Sequence, residues 1–240
     1  MVASRDPLER HLSVDLPRRH NQTKQAGPRA LQLKIIAFAG PARAGKSKAA
    51  DIVEDLCKAD HTVVRESFAK PMRLAWKRLA SYLTAKTGEP VNRDTKPELY
   101  RSTMQRWGES RRAEDPNHWC IRMAERLGRL KKAELLAYTV VDDAKDWRET
   151  LVLIDDVRYV NEVVLMHSCN AQVIFVDPKG RVDLSESWRR HESEALANGY
   201  INGQFDDGLF DRVVVNSRSE KAFRYKIKGA VNDWLREAVS

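Results

Sequence analysis

The stretch Gly40-Pro41-Ala42-Arg43-Ala44-Gly45-Lys46-Ser47 constrains the fold more than any other part of the chain. It reads G-x-x-x-x-G-K-S. Before it lies a short apolar segment, Leu33 to Ala39; after it, Ala49, Ile52, Val53 and Leu56 recur at helical spacing. A glycine loop between a buried strand and a new helix is the setting in which this pattern binds phosphate. Gly40 and Gly45 let backbone N–H groups turn inward and come close to a polyphosphate. The helix adds its positive end. In this reading the backbone of Ala42, Arg43 and Ala44 and the neighbouring Lys48 complete the cradle, Lys46 reaches the β/γ-phosphates and Ser47 holds Mg²⁺. The alternative is a glycine turn that happens to precede a lysine. The flanking strand and helix favour a site for ATP with Mg²⁺.

At 240 residues the chain fits one α/β domain with insertions, or one domain plus a tail. No apolar run approaches a membrane span, and no secretory-type apolar core follows the start. Cys57, Cys120 and Cys169 are scattered without metal-type spacing, which fits a reducing cytoplasm. The formal charge is +8. Residues 1–33 hold six Arg/Lys against three acids, so +3 of that excess lies there. The remainder is spread over a domain that needs arginines for anionic nucleotides, so charge by itself does not call for nucleic acid. Residues 1–30, with prolines at 7, 17 and 28, read as a disordered or loosely attached basic arm. An arm that binds DNA or a partner is the alternative.

Residues 31–240 then alternate strands and helices. Strands are expected at His61–Phe68, Leu151–Ile154, Ala171–Val176 and Arg212–Val215. A helix opens at Ala69-Lys70-Pro71 with Met72, Ala75, Leu79 and Tyr82/Leu83 on one face. Thr95-Lys96-Pro97-Glu98 has capping-box spacing, and Tyr100, Met104 and Trp107 follow at i, i+4, i+7. Cys120, Met123 and Leu127 stripe the next helix, and Lys131 to Thr150 reads as a charged helical insertion. Phe223, Ile227, Val231 and Trp234 stripe the last helix. The fold class is a P-loop three-layer α/β/α domain with about five parallel strands. A helical insertion is expected over about 68–130, with a charged segment at about 178–200. Asp155 and Asp156 end a buried strand, where ligands of such sheets sit, and are candidate Mg²⁺ residues. Two solvated acids capping the next helix are the alternative.

Several elements resemble those of phage and bacterial deoxynucleoside monophosphate kinases. Phe68-Ala69-Lys70-Pro71-Met72-Arg73 is similar to their F-A-D-P-L-K. Gln105-Arg106-Trp107-Gly108, Arg112 and Asp115-Pro116-Asn117-His118-Trp119 follow their Q-x-x-G-T…R-x-x-D-P-D-x-W. Asp156-Val157-Arg158-Tyr159-Val160-Asn161-Glu162 resembles D-V-R-F-x-N-E, and His191-Glu192-Ser193-Glu194 their H-x-S-E. Asp211-Arg212-Val213-Val214-Val215-Asn216 resembles a strand end near the donor base, which assigns Asn216 there. The specific signal is the ordered set, spanning residue 33 to the C-terminus.

The resemblance implies transfer of a phosphoryl group from ATP to a deoxynucleoside monophosphate, with Lys46, Asp156 and Arg158 at the chemistry. It implies that the insertion at about 68–130 binds the acceptor and that the segment at about 178–200 is a lid. It also implies Arg73, Arg112 and Arg158 around the acceptor phosphate, with Gln105, Trp107, Gly108 and Trp119 at its base or sugar. For each arginine taken singly a surface position is the alternative, and for each tryptophan core packing. Lys179, Arg181, Arg189, Arg190 and His191 fall where such kinases carry a closing lid, and a solvated charged helix is the alternative there. Glu109 stands where threonine is usual, one residue is missing between Gly108 and Arg112, and Lys70 replaces an aspartate. These departures lie in the acceptor half and bear on which base is accepted.

Other enzymes of the same fold, such as phosphomevalonate-type kinases, share the loop and an aspartate–x–arginine strand end. A GTPase switch would need N-K-x-D, and Asn92-Arg93-Asp94 lies too early and lacks the lysine. A nucleic-acid-stimulated ATPase would place a second acid after Asp156, where Val157-Arg158 stands instead. The implied partners are therefore small-molecule nucleotides, with no membrane and no nucleic acid. The implied location is the cytoplasm, a host's if the source is viral. Dimerisation and the accepted base stay open.

Overall fold

The computed structural model describes residues 33–140, 148–179, 194–205, 207–217 and 219–237. The arm at 1–30 and the lid residues Arg181, Arg189, Arg190 and His191 lie outside these ranges. Five strands alternate with helices: β1 (Lys34–Ala39), α1 (Lys46–Cys57), β2 (Thr62–Glu66), α2 (Lys70–Thr87), α3 (Pro97–Glu114), α4 (His118–Val140), β3 (Thr150–Val157), α5 (Val160–Ser168), β4 (Gln172–Asp177), α6 (Ala195–Ile201), β5 (Arg212–Val215) and α7 (Glu220–Glu237). The sheet order is β2-β3-β1-β4-β5 and every pairing is parallel. The chain crosses to opposite sides of β1, so the switch point of the sheet falls at β1's carboxyl end, where the glycine loop leaves.

Strand alternation sorts the core into two layers. Ile36, Phe38, Leu151, Leu153, Ile174 and Val214 face α1 and α7, and pack on Ile52, Val53, Phe223, Ile227 and Val231. Ile35, Ala37, Val152, Ile154, Val173 and Phe175 face the other way, onto Met72, Trp119, Met123, Val163 and Leu196. The architecture is thus the three-layer P-loop fold expected from the sequence. No helix among the described residues is long and apolar enough to cross a membrane.

The local expectations fail in three places. Helix α2 buries Met72, Trp76 and Ala80, whereas Leu79 and Tyr82 are exposed. Trp76 packs edge-on against Tyr100 of α3, with ring centroids 5.3 Å apart, and this large contact turns the buried stripe one residue round. Thr95 forms no capping box: its hydroxyl donates to the Pro90 carbonyl (2.8 Å) and accepts from the Asn92 amide (3.0 Å), and Lys96 is the N-cap. A short polar side chain here serves its own turn instead of the helix. The block expected as an insertion from Lys131 continues α4 as far as Val140.

The glycines of the loop are required where they stand. Gly40 has φ +133°, and a Cβ there would lie 2.5 Å from the Val176 carbonyl oxygen. That oxygen belongs to β4's backbone and cannot move aside. Gly40→Ala is therefore expected to destabilise the fold by about 3 kcal/mol, read as a lowered midpoint in chemical denaturation.

Candidate active site

The loop after β1 is held from two sides. Gly45 has φ +103°, and Arg43 also takes a left-handed conformation with φ 62°. Asn216, buried at the end of β5, donates from Nδ2 to the Ala44 carbonyl (2.7 Å). A Cβ on Gly45 would meet that same nitrogen at 2.3 Å. Asn216, expected near the donor base, here braces the loop. Lys46 is buried and its ammonium donates to the carbonyls of Gly40 (2.6 Å) and Pro41 (2.7 Å). Burial, seconded by the charge of Arg158, lowers its pKa to about 8 against the pull of Glu194, Asp156 and Asp155. Ser47 is exposed at the start of α1. Lys48 turns to Glu220 of α7 (2.8 Å).

One cleft of about 630 Å³ opens beside this loop. Ala42 forms its loop end. The start of α2 contributes Phe68, Ala69, Met72 and Arg73; the chain before α3 contributes Arg93 and Asp94; the end of β3 and the start of α5 contribute Asp156, Arg158, Tyr159 and Glu162. Helix α3 supplies a whole face: Arg101, Gln105, Gly108 and Arg112, at i, i+4, i+7 and i+11. The acceptor candidates Arg73, Gln105, Gly108, Arg112 and Arg158 therefore converge. Arg93 and Arg101 join them, making five arginines on one cleft. Arg101 was legible in the sequence as the residue one turn before Gln105; Arg93 was not, because it lies in a loop.

The two tryptophans do not line the cleft. Trp119 is buried, its indole N–H donates to the Gly108 carbonyl (3.3 Å), and Trp107 meets it edge-on at 6.4 Å. Trp119 of α4 thus props α3 from behind and Trp107, on α3 itself, packs against it, so core packing accounts for both. Lys70 also turns from the cleft and pairs with Glu66 (2.6 Å), which explains a lysine where the resembling kinases carry aspartate.

The paired aspartates point to opposite faces of the sheet. Asp156 follows Val152 and Ile154, and its two carboxylate oxygens accept the amides of Phe68 (2.8 Å) and Ala69 (3.0 Å). It ties the start of α2 to the end of β3, and burial raises its pKa. Asp155 follows Leu151 and Leu153 onto the α1 face and meets Arg65 at 3.3 Å. Among the described residues no three His, Cys, Asp or Glu side chains gather into a metal site.

Two carboxylates that the sequence did not mark as site residues organise the arginines. Glu162 accepts the backbone amides of Arg158 (2.7 Å) and Tyr159 (3.2 Å), with Arg112 3.8 Å away. Burial pushes its carboxyl up to about 8, against those amides and Arg112. The Arg112 guanidinium lies 3.9 Å above the Tyr159 ring, which holds it at the cleft wall. Glu194, from just before α6, is buried and bridges the two halves. It accepts the Ala42 amide (2.9 Å) and pairs with Arg158 Nη1 (3.1 Å). The site so built is a cleft with the glycine loop at one end and five arginines along its walls.

No family model matches the chain, and no curated protein does. Among solved structures the chain is similar to dephospho-CoA kinase from Campylobacter jejuni, with a TM-score of 0.45 and 12% identity over 83% of this chain and 96% of that one. A likeness at that level says nothing about activity; the cleft's own residues do.

Proposed function

We propose that this chain transfers a phosphoryl group from ATP to a small phosphorylated acceptor, and that the acceptor is a deoxynucleoside monophosphate. The observation that carries this reading is the convergence of Ala42 of the glycine loop with Arg73, Arg112 and Arg158 on one cleft. A triphosphate suits the loop: its left-handed backbone at Arg43 and Gly45 and the helix start at Lys46 are the setting that turns N–H groups toward phosphate, and its Ala42 amide already donates to a carboxylate oxygen. An oxygen of the acceptor phosphate attacks the γ-phosphorus, the bond from that phosphorus to the β–γ bridging oxygen breaks, and ADP leaves. The acceptor phosphate is largely ionised at neutral pH, so no general base is needed. That leaves Asp156 to position α2. Lys46 and Arg158 neutralise charge where it builds up, and the arginine fork holds oxygens in pairs. Ser47 and Asp155, both on the α1 side, would hold Mg²⁺, which when bound offsets the charge of the β- and γ-phosphates.

A second reading has its own support. With Trp107 and Trp119 packed in the core the cleft offers no indole for a base to stack on, and its far end carries Arg93, Asp94, Glu98 and Arg101. A more polar phosphorylated acceptor, as in a phosphomevalonate-type kinase, would suit such a lining. ADP release with ATP, Mg²⁺ and each monophosphate in turn, deoxy and ribo, distinguishes the two. Turnover that depends on one deoxynucleotide is the expected result. Turnover only with phosphomevalonate or a similar ester would replace it, and ATP hydrolysis indifferent to every acceptor would end the kinase reading.

A further inference from the structure

Glu194 is a carboxylate in a place built for something else. It is 5% exposed, and it holds two groups far away in the sequence: Ala42 is 152 residues away and Arg158 is 36 away. One partner is a backbone amide of the glycine loop and the other is Arg158, one of the arginines of the cleft. Two oxygens on one centre, each taken by one of these donors, reproduce what a bound phosphoryl group would present to them. The charge of Glu194 also reaches Lys46, where it opposes that of Arg158.

We propose that Glu194 is the site's internal anion: its carboxylate occupies the position of a phosphoryl group in the free protein, and a triphosphate binds by displacing it. This rests on the kinase reading above and adds to it a residue that sets how tightly the site takes phosphate. The occupied form keeps Arg158 and the loop amide satisfied while the cleft is empty. It lowers the apparent affinity for triphosphate in proportion to the fraction of molecules left without it. A merely structural tie between α6 and the loop would act in the opposite direction, because cutting it would loosen the loop and weaken binding.

Titration calorimetry with ATP and Mg²⁺ on the full chain decides between them. Glu194→Ala and the same-sized, uncharged Glu194→Gln are compared with the parent, each checked for an intact melting transition. Glu194→Ala is expected to bind ATP about tenfold tighter, the result if about nine-tenths of free molecules hold the carboxylate in place. Glu194→Gln, whose amide still fits the position without the charge, is expected to fall between the two. Binding that is equal to the parent's or weaker in both variants overturns the inference while leaving the kinase reading intact. No ATP binding in the parent or in either variant overturns the kinase reading, and the inference with it. Binding in the variants with none measurable in the parent is the strongest support.

Discussion

Lys46→Ala is expected to abolish transfer, lowering kcat by a factor on the order of 10³, with little change in the fold. Its ammonium lies against the carbonyls of Gly40 and Pro41, at the base of the loop and within the field of Arg158. The lysine is the one cation on the loop that is buried, because Arg43 and Lys48 are exposed. The two carbonyls that lose it belong to buried residues, so stability should fall by about 1–3 kcal/mol, the cost of leaving buried acceptors unsatisfied. A coupled assay for ADP and a melting curve check the two halves separately. A variant that kept activity would remove the loop from the chemistry.

The same residue sets a pH dependence. With its pKa lowered to about 8, Lys46 is charged in the free protein below that pH and increasingly neutral above it. Binding a polyphosphate favours the charged form, so above about pH 8 binding must be accompanied by proton uptake. ATP affinity is therefore expected to fall as pH rises through that region, by at most about tenfold per unit. Lys46→Met should lose this slope along with most of the affinity, which calorimetry at several pH values would show.

Arg158→Ala is the second large effect, expected to lower kcat by about 10³-fold, in the range of arginines that stabilise a transferring phosphoryl group. The residue reaches Glu194 on the loop side, and Glu162 fixes the backbone by accepting the amides of Arg158 and Tyr159. In the proposed reaction this places it between the two substrates, where charge is greatest in the transition state, so kcat should fall more than ATP affinity. Arg158→Lys should recover little, since a point charge cannot replace a fork that holds two oxygens. Full activity in Arg158→Ala would show that the acceptor end has been misplaced. A comparable rise in the acceptor KM for Arg112→Ala, with kcat less changed, would be consistent with its place on the wall beside Tyr159.

Much of this protein is settled by its sequence alone, because the signals are local. A glycine loop between an apolar run and a helical stripe marks a strand, a tight turn and a helix, and Gly40 and Gly45 do take the positive φ such a turn needs. Short apolar runs with helices between them require a parallel sheet, and its carboxyl edge then collects Lys46, Asp155, Asp156 and Arg158. The polar face of α3 was also there to be read, at the spacing of Arg101, Gln105 and Arg112. Only the tertiary structure decided the rest. Trp76 chose the buried side of α2 because Tyr100 of another helix was there to meet it. Trp119 went into the core because a carbonyl of α3 satisfied its N–H. Asp156 was drawn to the amides of α2, and Glu194 crossed from the start of α6 to the loop and Arg158. Each of these depends on a partner that periodicity cannot name, since a buried polar group settles wherever the fold brings it a partner, however far away in the chain.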